Sequence, residues 1–232
     1  MPYFYIDYWY LVLVLPALLL SLWAQFRVKS TFAKYSNKLV ASGMTGAYAS
    51  RYIQQANGIQ TGIEAVAGEL SDHFDPRSNV IRLSPSVYDC ATVAAVGVAA
   101  HETGHALQHA EGYGPVKLRT KMVPVTNFAS SLSPILILAG ILLSMDPLAY
   151  AGIALFSVAT FFQLVTLPVE FNASNRAVIA LESSGQFTEE ELKGVKKVLT
   201  AAALTYVAAL LVSFMNLLRL ILIVGGNNRR RR

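Results

Sequence analysis

The 232-residue sequence is poor in cysteine and in charged residues, and each shortage excludes a class of protein. The single cysteine, Cys90, cannot form an internal disulfide and has no CxxC partner, which excludes a disulfide-stapled scaffold and a thiolate metal site. Only 14% of the residues are charged whereas 54% are hydrophobic, which is too apolar a balance for an ordinary soluble domain. The chain is therefore predicted to be an integral membrane protein, and any metal must be held by histidine and carboxylate.

The basic residues exceed the acidic ones and give a formal net charge of +5. They flank apolar segments or form the tail Arg229 to Arg232, and they do not make an aromatic-interleaved basic face. We therefore expect the lipid bilayer as a partner and no nucleic acid. The sequence leaves the oligomeric state and any regulatory partner open.

Four apolar runs are long enough to cross a bilayer as helices, since about 20 residues span its hydrocarbon core. The runs cover residues 8–26, 128–145, 148–169 and 198–224. Only Asp146 and Pro147 separate the second run from the third, which predicts a tight antiparallel helical hairpin. Thr188 and Glu191 predict a capping box ahead of the fourth run. Arg219 near the end of that run is costly in a membrane unless it pairs or reaches the interface.

Basic residues beside these runs predict the orientation of the chain. Arg27, Lys29, Lys117 and Lys193 fall on one side, which the positive-inside rule assigns to the cytoplasm. The arginine tail would then lie on the other side if the fourth run crosses completely. The sequence leaves a complete and an incomplete crossing open.

About a hundred residues of more polar character separate the first run from the second and are predicted to form an extramembrane domain. We expect a helix over residues 31–57. It is followed by a small β-hairpin or a pair of short strands, formed by GIEAVAGEL and SNVIRLS on either side of DHFDPRS, where Asp75 and Pro76 suit a turn. Ser84 as N-cap and Pro85 at the first helical position predict the start of a long helix, which Gly112 ends.

That long helix contains the segment HETGH, residues 101–105. His101 and His105 are four residues apart and project from one helix face, as two ligands of one Zn²⁺ do. Glu102 points beside such a metal and suits a general base. HExxH on a helix is for this reason a metalloprotease signature. Burying these side chains in an alanine-rich helix is costly unless a metal and a water compensate.

A catalytic zinc needs a third protein ligand and leaves its fourth position to water. Glu170 directly follows the third apolar run, on the same side as the HETGH helix, and is favoured over Glu182 and Glu111. His109 lies about 12 Å beyond His101 on a continuous helix and cannot reach the same ion. We therefore expect His109 on the helix face or beside the site.

Weaker patterns suggest further site residues. His73, Asp75 and Tyr113 are candidates for stabilising the tetrahedral oxyanion, and Arg176 for placing substrate or pairing with a carboxylate. For each of them a structural role in a turn or a salt bridge is the favoured alternative. The segment NVIRLS, residues 79–84, is the candidate sheet edge for binding an extended substrate.

The segment GVAAHETGHALQ, preceded by SDHFDP and IRLSPSVYD and followed by LPVEFNASNRA, resembles the YugP-type membrane zinc peptidases of bacteria over most of the chain. More widely it is similar to HtpX-like and other gluzincin membrane proteases. The resemblance implies His101 and His105 as ligands, Glu102 as base, and Glu170, from an ExxAD-type segment, as third ligand. Ser174 occupies the position where that pattern has aspartate, and a neutral hydroxyl would orient a ligand histidine more weakly.

The predicted fold is a mainly α integral membrane protein, with about four transmembrane helices and a small α+β zincin-like catalytic domain built around the HExxH helix. The predicted segments are an N-terminal anchor (1–27), the catalytic domain (28–127), a transmembrane hairpin (128–169), the segment with the third ligand (170–197), and a C-terminal transmembrane helix with a basic tail (198–232).

The predicted function is that of a zinc metalloendopeptidase with one Zn²⁺ per chain. It would be a multi-pass protein of the bacterial plasma membrane, with a cytoplasmic active site and with membrane or membrane-proximal proteins as substrates. The alternative is a non-catalytic membrane protein with a structural zinc site, which would need a fourth protein ligand. Haem ligation is disfavoured because it gives Glu102 no role.

Overall fold

The computed structural model describes residues 7–229, which form a mainly helical chain with one small sheet. The helices are α1 (Leu15–Ser36), α2 (Gly46–Ala56), α3 (Pro85–Tyr88), α4 (Val93–Ala110), α5 (Gly114–Leu142), α6 (Asp146–Ser183) and α7 (Glu189–Arg229). A short π-helix, Tyr10–Val14, leads into α1. The strands are β1 (Gly62–Ala65), β2 (His73–Asp75) and β3 (Val80–Leu83).

Within the described residues, four helices are long and apolar enough to cross a membrane, which confirms the predicted number. They comprise Tyr10–Ser36, Gly114–Leu142, Asp146–Ser183 and Glu189–Gly226. Each helix is longer than its apolar run because helical hydrogen bonding continues into the more polar sequence beside it. Glu170 consequently lies inside α6. The last three residues of the arginine tail are outside the described residues.

The chain divides into two compact units. The span unit comprises the described residues within 1–24, 118–167 and 205–232, and the site unit comprises residues 25–117 and 168–204. The division into five segments drawn from the sequence stays a prediction.

In the span unit, small residues allow α5 and α6 to pack closely as an antiparallel hairpin. A Cβ added to Gly140 would lie 2.4 Å from the backbone nitrogen of Ala149, so this contact requires glycine. Ser133 Oγ donates a hydrogen bond of 2.9 Å to the Gly152 carbonyl across the same interface. The helical hairpin is present, but residues 143–145 connect the two helices, and Asp146 and Pro147, which were predicted as the connection, begin α6.

In the span unit, Arg219, whose charge is costly in a membrane, forms an ion pair. Arg219 Nε donates a hydrogen bond of 2.9 Å to Asp7 Oδ2, and Arg219 Nη2 contacts the same oxygen. The guanidinium also lies 5.3 Å from the centre of the Tyr10 ring. A paired cation costs less in an apolar environment than an isolated one, which explains how α7 accommodates Arg219.

The sheet of the site unit has the order β1-β3-β2. β2 and β3 form an antiparallel pair around the turn after Asp75, but β2 lies within the segment DHFDPRS, which the sequence predicted as the turn between the strands. β1 and β3 are the two short strands expected on either side of that turn, but they pair in parallel and so do not form a hairpin. The interpretation of residues 79–84 as a free sheet edge is wrong, because β3 is the central strand and both of its sides are paired.

The predicted helix over residues 31–57 is also wrong, because it is two helices. α1 ends at Ser36 and α2 begins at Gly46, after Thr45 Oγ1 accepts a hydrogen bond from the Tyr48 amide. In between, Leu39 pairs with Thr92 in an isolated β-bridge. This tertiary pairing overrides the local helical preference of the segment.

The predicted start of the motif helix at Ser84 needs correction as well. The turn of helix that Pro85 begins is α3, which ends at Tyr88. The motif helix α4 begins at Val93, where Thr92 Oγ1 accepts a hydrogen bond from the Ala95 amide. Threonine is a good N-cap because its hydroxyl satisfies an amide that has no partner within the helix. The apolar residues from Val93 to Ala100 bury α4 in the core of the site unit.

Candidate metal centre

The candidate metal centre lies where the HETGH turn of α4 meets α6. His101 and His105 lie one turn apart on α4, and their rings pack edge to face with centres 4.7 Å apart. Glu170 on α6 is only 2% exposed, and one of its oxygens faces both rings. The structure therefore brings together the three predicted ligands, whose ligand atoms lie within 4.8 Å of one another.

The spacing of these atoms fits a zinc ion. Glu170 Oε2 lies 3.4 Å from His101 Nε2 and 3.5 Å from His105 Nε2. Tetrahedral zinc with bonds of about 2.0–2.2 Å places neighbouring ligand atoms about 3.3–3.6 Å apart. Two imidazole nitrogens and one carboxylate oxygen are also the donor set of catalytic zinc sites that keep one position open.

The close approach of α6 to α4 depends on the glycine inside the motif. A Cβ added to Gly104 would lie 2.5 Å from the carbonyl oxygen of Ala173. Both residues sit in the buried interface between the helices. Because Gly104 precedes His105 and Ala173 follows Glu170 by three residues, this contact sets the distance between ligands of different helices.

Glu102 is held by the sheet. The backbone amide of Phe74 in β2 donates a hydrogen bond of 2.9 Å to Glu102 Oε2. The carboxylate is largely buried, at 9% exposure, and this bond fixes one of its two oxygens. The arrangement orients the predicted base while leaving its other oxygen available for a proton.

The second nitrogen of each histidine contacts a neutral side chain. His101 Nδ1 lies 3.1 Å from Ser174 Oγ, and His105 Nδ1 lies 3.0 Å from Gln108 Oε1. Such contacts orient an imidazole so that its other nitrogen faces the metal. Ser174 therefore contacts one of the two predicted ligand histidines, His101.

The environment of His105 shifts its pKa in opposite directions. Burial lowers the pKa of this imidazole, whereas contact with Glu170 and the nearby charge of Glu102 raise it, and the net pKa lies above the ordinary value. The negative charge around the histidines thus favours a cation at this centre.

The other candidate residues make contacts outside the predicted ligand group. His109 packs its ring against Phe74, with ring centres 5.6 Å apart, on the same helix as the two ligands. His73 is exposed, and its Nδ1 contacts the Ser71 carbonyl. Tyr113 packs its ring against the Arg176 guanidinium. The ligand cluster found among the described residues contains none of the candidates His109, His73, Tyr113 and Arg176.

The carboxylates that were weighed against Glu170 form ion pairs elsewhere. Glu111 Oε1 lies 2.7 Å from Arg176 Nη1, and this hydrogen bond lowers the pKa of the Glu111 carboxyl. Glu182 accepts a hydrogen bond of 2.6 Å from Lys196. Asp75, the carboxylate that was considered for the oxyanion, forms an ion pair with Arg82 at 3.0 Å within the hairpin. These contacts match the salt-bridge alternative that the sequence favoured for Arg176 and Asp75.

Sequence reasoning missed Gln108, Asn172 and the backbone of Phe74. Gln108 and Asn172 bond to one another across the interface, at 2.9 Å. Their positions hold a signal, because Gln108 is one helical turn beyond His105 and Asn172 is close to Glu170 in the chain. The amide of Phe74 gave no such signal, since a backbone group is present at every non-proline residue.

Comparisons with known proteins identify the family of the chain. A family described as "Putative neutral zinc metallopeptidase" matches residues 10–225. The chain is similar to the "Putative membrane protease YugP" of Bacillus subtilis (strain 168), at 53% identity over 215 residues, which cover 92% of this chain and 96% of that protein. No solved structure matches the chain significantly.

Proposed function

The chain belongs to the family described as "Putative neutral zinc metallopeptidase", and on that basis we propose that it is a membrane-bound, zinc-dependent endopeptidase. The observation that supports this proposal best is the convergence of His101, His105 and Glu170, with their ligand atoms within 4.8 Å of one another. The resemblance drawn from the motifs is confirmed at the level of the family.

In the proposed reaction, His101, His105 and Glu170 hold the metal. A bound zinc ion supplies Lewis acidity at the scissile carbonyl and at the attacking water. We place the proposed enzyme in the gluzincin class because its third metal ligand would be the glutamate Glu170.

Glu102 moves the protons. The carboxylate takes a proton from the attacking water and delivers that proton to the leaving amine. The hydrogen bond from the Phe74 amide keeps the carboxylate in place. Because Glu102 acts on water and not on the substrate carbon, no covalent bond forms between the enzyme and the peptide. The largely buried position of Glu102 strengthens its interactions with neighbouring charges.

The substrates that we propose are membrane proteins or membrane-proximal peptides, because the ligand Glu170 lies on a helix long and apolar enough to span a membrane. The basic residues beside the spans support a cytoplasmic active site in the plasma membrane of a bacterium. The contact between Arg219 and Asp7 brings the later part of α7 to the start of the first span, which supports a complete crossing by α7.

Zinc content and cleavage test this function together. Wild type and the variants His101→Ala, His105→Ala, Glu170→Ala and His109→Ala are purified in detergent, their zinc is measured by elemental analysis, and cleavage of an unfolded reporter is followed. We expect one zinc per chain that is lost in the first three variants and kept in His109→Ala, which is the matched control. A chelator should stop cleavage.

The alternatives give different results. Zinc that survives loss of Glu170 but departs with His109 would show that the third ligand is wrong. Bound zinc without any cleavage would favour a structural zinc site over the peptidase.

A further inference from the structure

We propose that Gln108 is a positioning residue that fixes which nitrogen of His105 faces the metal, and that Asn172 and Arg176 set the direction of its hydrogen bonds. The proposal rests on the metal centre of the proposed function. It concerns a chain of contacts that runs from the metal ligand to the surface of the site unit.

The chain of contacts begins with a group that can only donate. Arg176 Nε donates a hydrogen bond of 2.7 Å to Asn172 Oδ1, and a guanidinium keeps its protons in proteins. The atom of Asn172 that faces Arg176 must therefore be the amide oxygen. The ion pair between Arg176 and Glu111, at 2.7 Å, holds the guanidinium in place.

The orientation of Asn172 then fixes the orientation of Gln108. Gln108 lies 2.9 Å from the same Asn172 oxygen and 2.8 Å from the backbone carbonyl oxygen of Val169. Both of these atoms only accept hydrogen bonds, so the Gln108 atom facing them must be the NH₂ nitrogen. Gln108 is fully buried, and water cannot replace either partner without opening the interface.

The orientation of Gln108 in turn fixes His105. With its nitrogen committed to α6, Gln108 presents its oxygen to His105 Nδ1 at 3.0 Å. An amide oxygen can only accept, so Nδ1 must bear the hydrogen. In the neutral imidazole, which is the form that binds a metal, the lone pair of His105 is then on Nε2, the nitrogen that lies 3.5 Å from Glu170 Oε2. The same nitrogen is the one available to the metal.

The helical spacing explains why this arrangement is available. Gln108 follows His105 by one turn of α4, whereas Val169, Asn172 and Arg176 lie on one face of α6 at the spacing of successive turns. The tight contact at Gly104 brings these two faces together. The contacts therefore join a ligand of α4 to the helix that provides Glu170.

Two exchanges of an amide for a carboxylate test the proposal, because only one of them should weaken zinc binding. Gln108→Glu replaces the NH₂ group by an oxygen that faces two acceptors, so its contacts with α6 become repulsive. The side chain should then turn away from His105, whose Nδ1 loses its hydrogen-bond partner. Asn172→Asp retains an acceptor for both Gln108 and Arg176, so the direction of the hydrogen bonds is preserved. Gln55→Glu, an exposed position on α2, is the control for the chemical change alone.

The readouts are the zinc dissociation constant, by competition with a chromophoric chelator, and the unfolding temperature of the metal-free protein in detergent. We expect Gln108→Glu to weaken zinc binding about 10- to 100-fold, as loss of a group that orients a ligand does. Asn172→Asp and Gln55→Glu should stay within about threefold of wild type by the same comparison. Unchanged zinc affinity in Gln108→Glu, or equal losses in both exchanges, would overturn the proposal.

A third variant keeps the test decisive if Gln108→Glu does not fold. Asn172→Leu removes the acceptor and should weaken zinc binding about 10-fold, whereas Asn172→Asp retains it. Equal zinc affinities in Asn172→Leu and Asn172→Asp would refute the role of this chain of contacts. Zinc affinity is measured without cleavage, so the two proposals can fail separately. Wild-type protein that binds zinc but cleaves nothing would refute the proposed peptidase. The role of Gln108 would still be decided by the zinc affinities of the variants.

Discussion

The backbone amide of Phe74 donates a hydrogen bond of 2.9 Å to the carboxylate of Glu102, and this bond joins the sheet to the HETGH helix. Phe74 lies in β2, an outer strand of the sheet. An outer strand has backbone groups that no neighbouring strand uses, and here one of them orients a side chain of the motif.

Removing this amide should impair catalysis. In Phe74→Pro the donor is absent, and loss of a hydrogen bond to a charged group costs about 1.5–3 kcal/mol, so kcat should fall at least about 10-fold. Phe74→Ala is the control, since it keeps the amide and loses only the ring that packs on His109. Both variants should retain zinc; equal kcat values in the two would show that the amide does not matter.

Glu102→Gln should separate metal binding from turnover. The amide has nearly the same shape but cannot accept a proton, so kcat should fall by about 10²- to 10⁴-fold. Zinc content should stay at the wild-type level, because Glu102 is outside the ligand cluster. Glu69→Gln, at an exposed position of the site unit, is the control. Loss of zinc in Glu102→Gln would contradict its assignment as the base.

Gly104→Ala should push α6 away from α4. The new Cβ would meet the Ala173 carbonyl at 2.5 Å, and overpacking of this kind costs roughly 1–3 kcal/mol. Zinc affinity should fall with stability because Glu170 lies on the displaced helix. Gly114→Ala is a suitable control, since a Cβ there has no atom within 4 Å. Thermal unfolding in detergent and zinc titration measure both effects, and a stable variant with full zinc affinity would be the contrary result.

Ser174→Asp should tighten zinc binding. A carboxylate in contact with His101 Nδ1 makes the imidazole a more basic ligand than the hydroxyl at 3.1 Å does. We expect an affinity gain of about 10-fold, and a loss of similar size in Ser174→Ala. Ser183→Asp, an exposed position at the end of α6, controls for the added charge. Chelator competition gives the affinities, and the same value for Ser174→Asp and Ser174→Ala would argue against this role.

Exchanging the charges of Asp7 and Arg219 should recover the stability that either single change loses. Asp7→Arg places two cations together and Arg219→Asp places two anions together, whereas the double variant restores an ion pair. The side chains are 20% and 24% exposed, so each single change leaves a charge poorly compensated. A double-mutant cycle of unfolding temperatures measures the coupling, and strictly additive effects would show that the pair does not stabilise the span unit.

Several features were predictable because they depend on residues close together in the chain. The capping box before α7 is present, with the Thr188 amide donating to Glu191 Oε2 at 2.7 Å and the Glu191 amide donating to Thr188 Oγ1 at 3.3 Å. The helical hairpin around residues 143–145 follows from an apolar run interrupted by Asp146 and Pro147. Local chemistry decides such features, so the sequence alone was sufficient.

The errors fall where distant segments meet. The helix predicted over residues 31–57 breaks because Leu39 pairs with Thr92, more than fifty residues away. The parallel addition of β1 places β3 at the centre of the sheet, and this rules it out as a free edge. Neither contact has a signature in the local pattern of apolar and polar residues.

The sequence by itself determined the number of apolar helices, the two histidines and glutamate of HETGH, and a short choice of third ligands. Helical periodicity places His101 and His105 on one face, and the length of each apolar run decides whether a helix can span a bilayer. Only the tertiary structure decided that Glu170 meets both histidines and that Ser174, Gln108 and Phe74 orient the motif. The reason is physical: these contacts join segments far apart in the chain, and they exist because Gly104 lets α6 approach α4 closely.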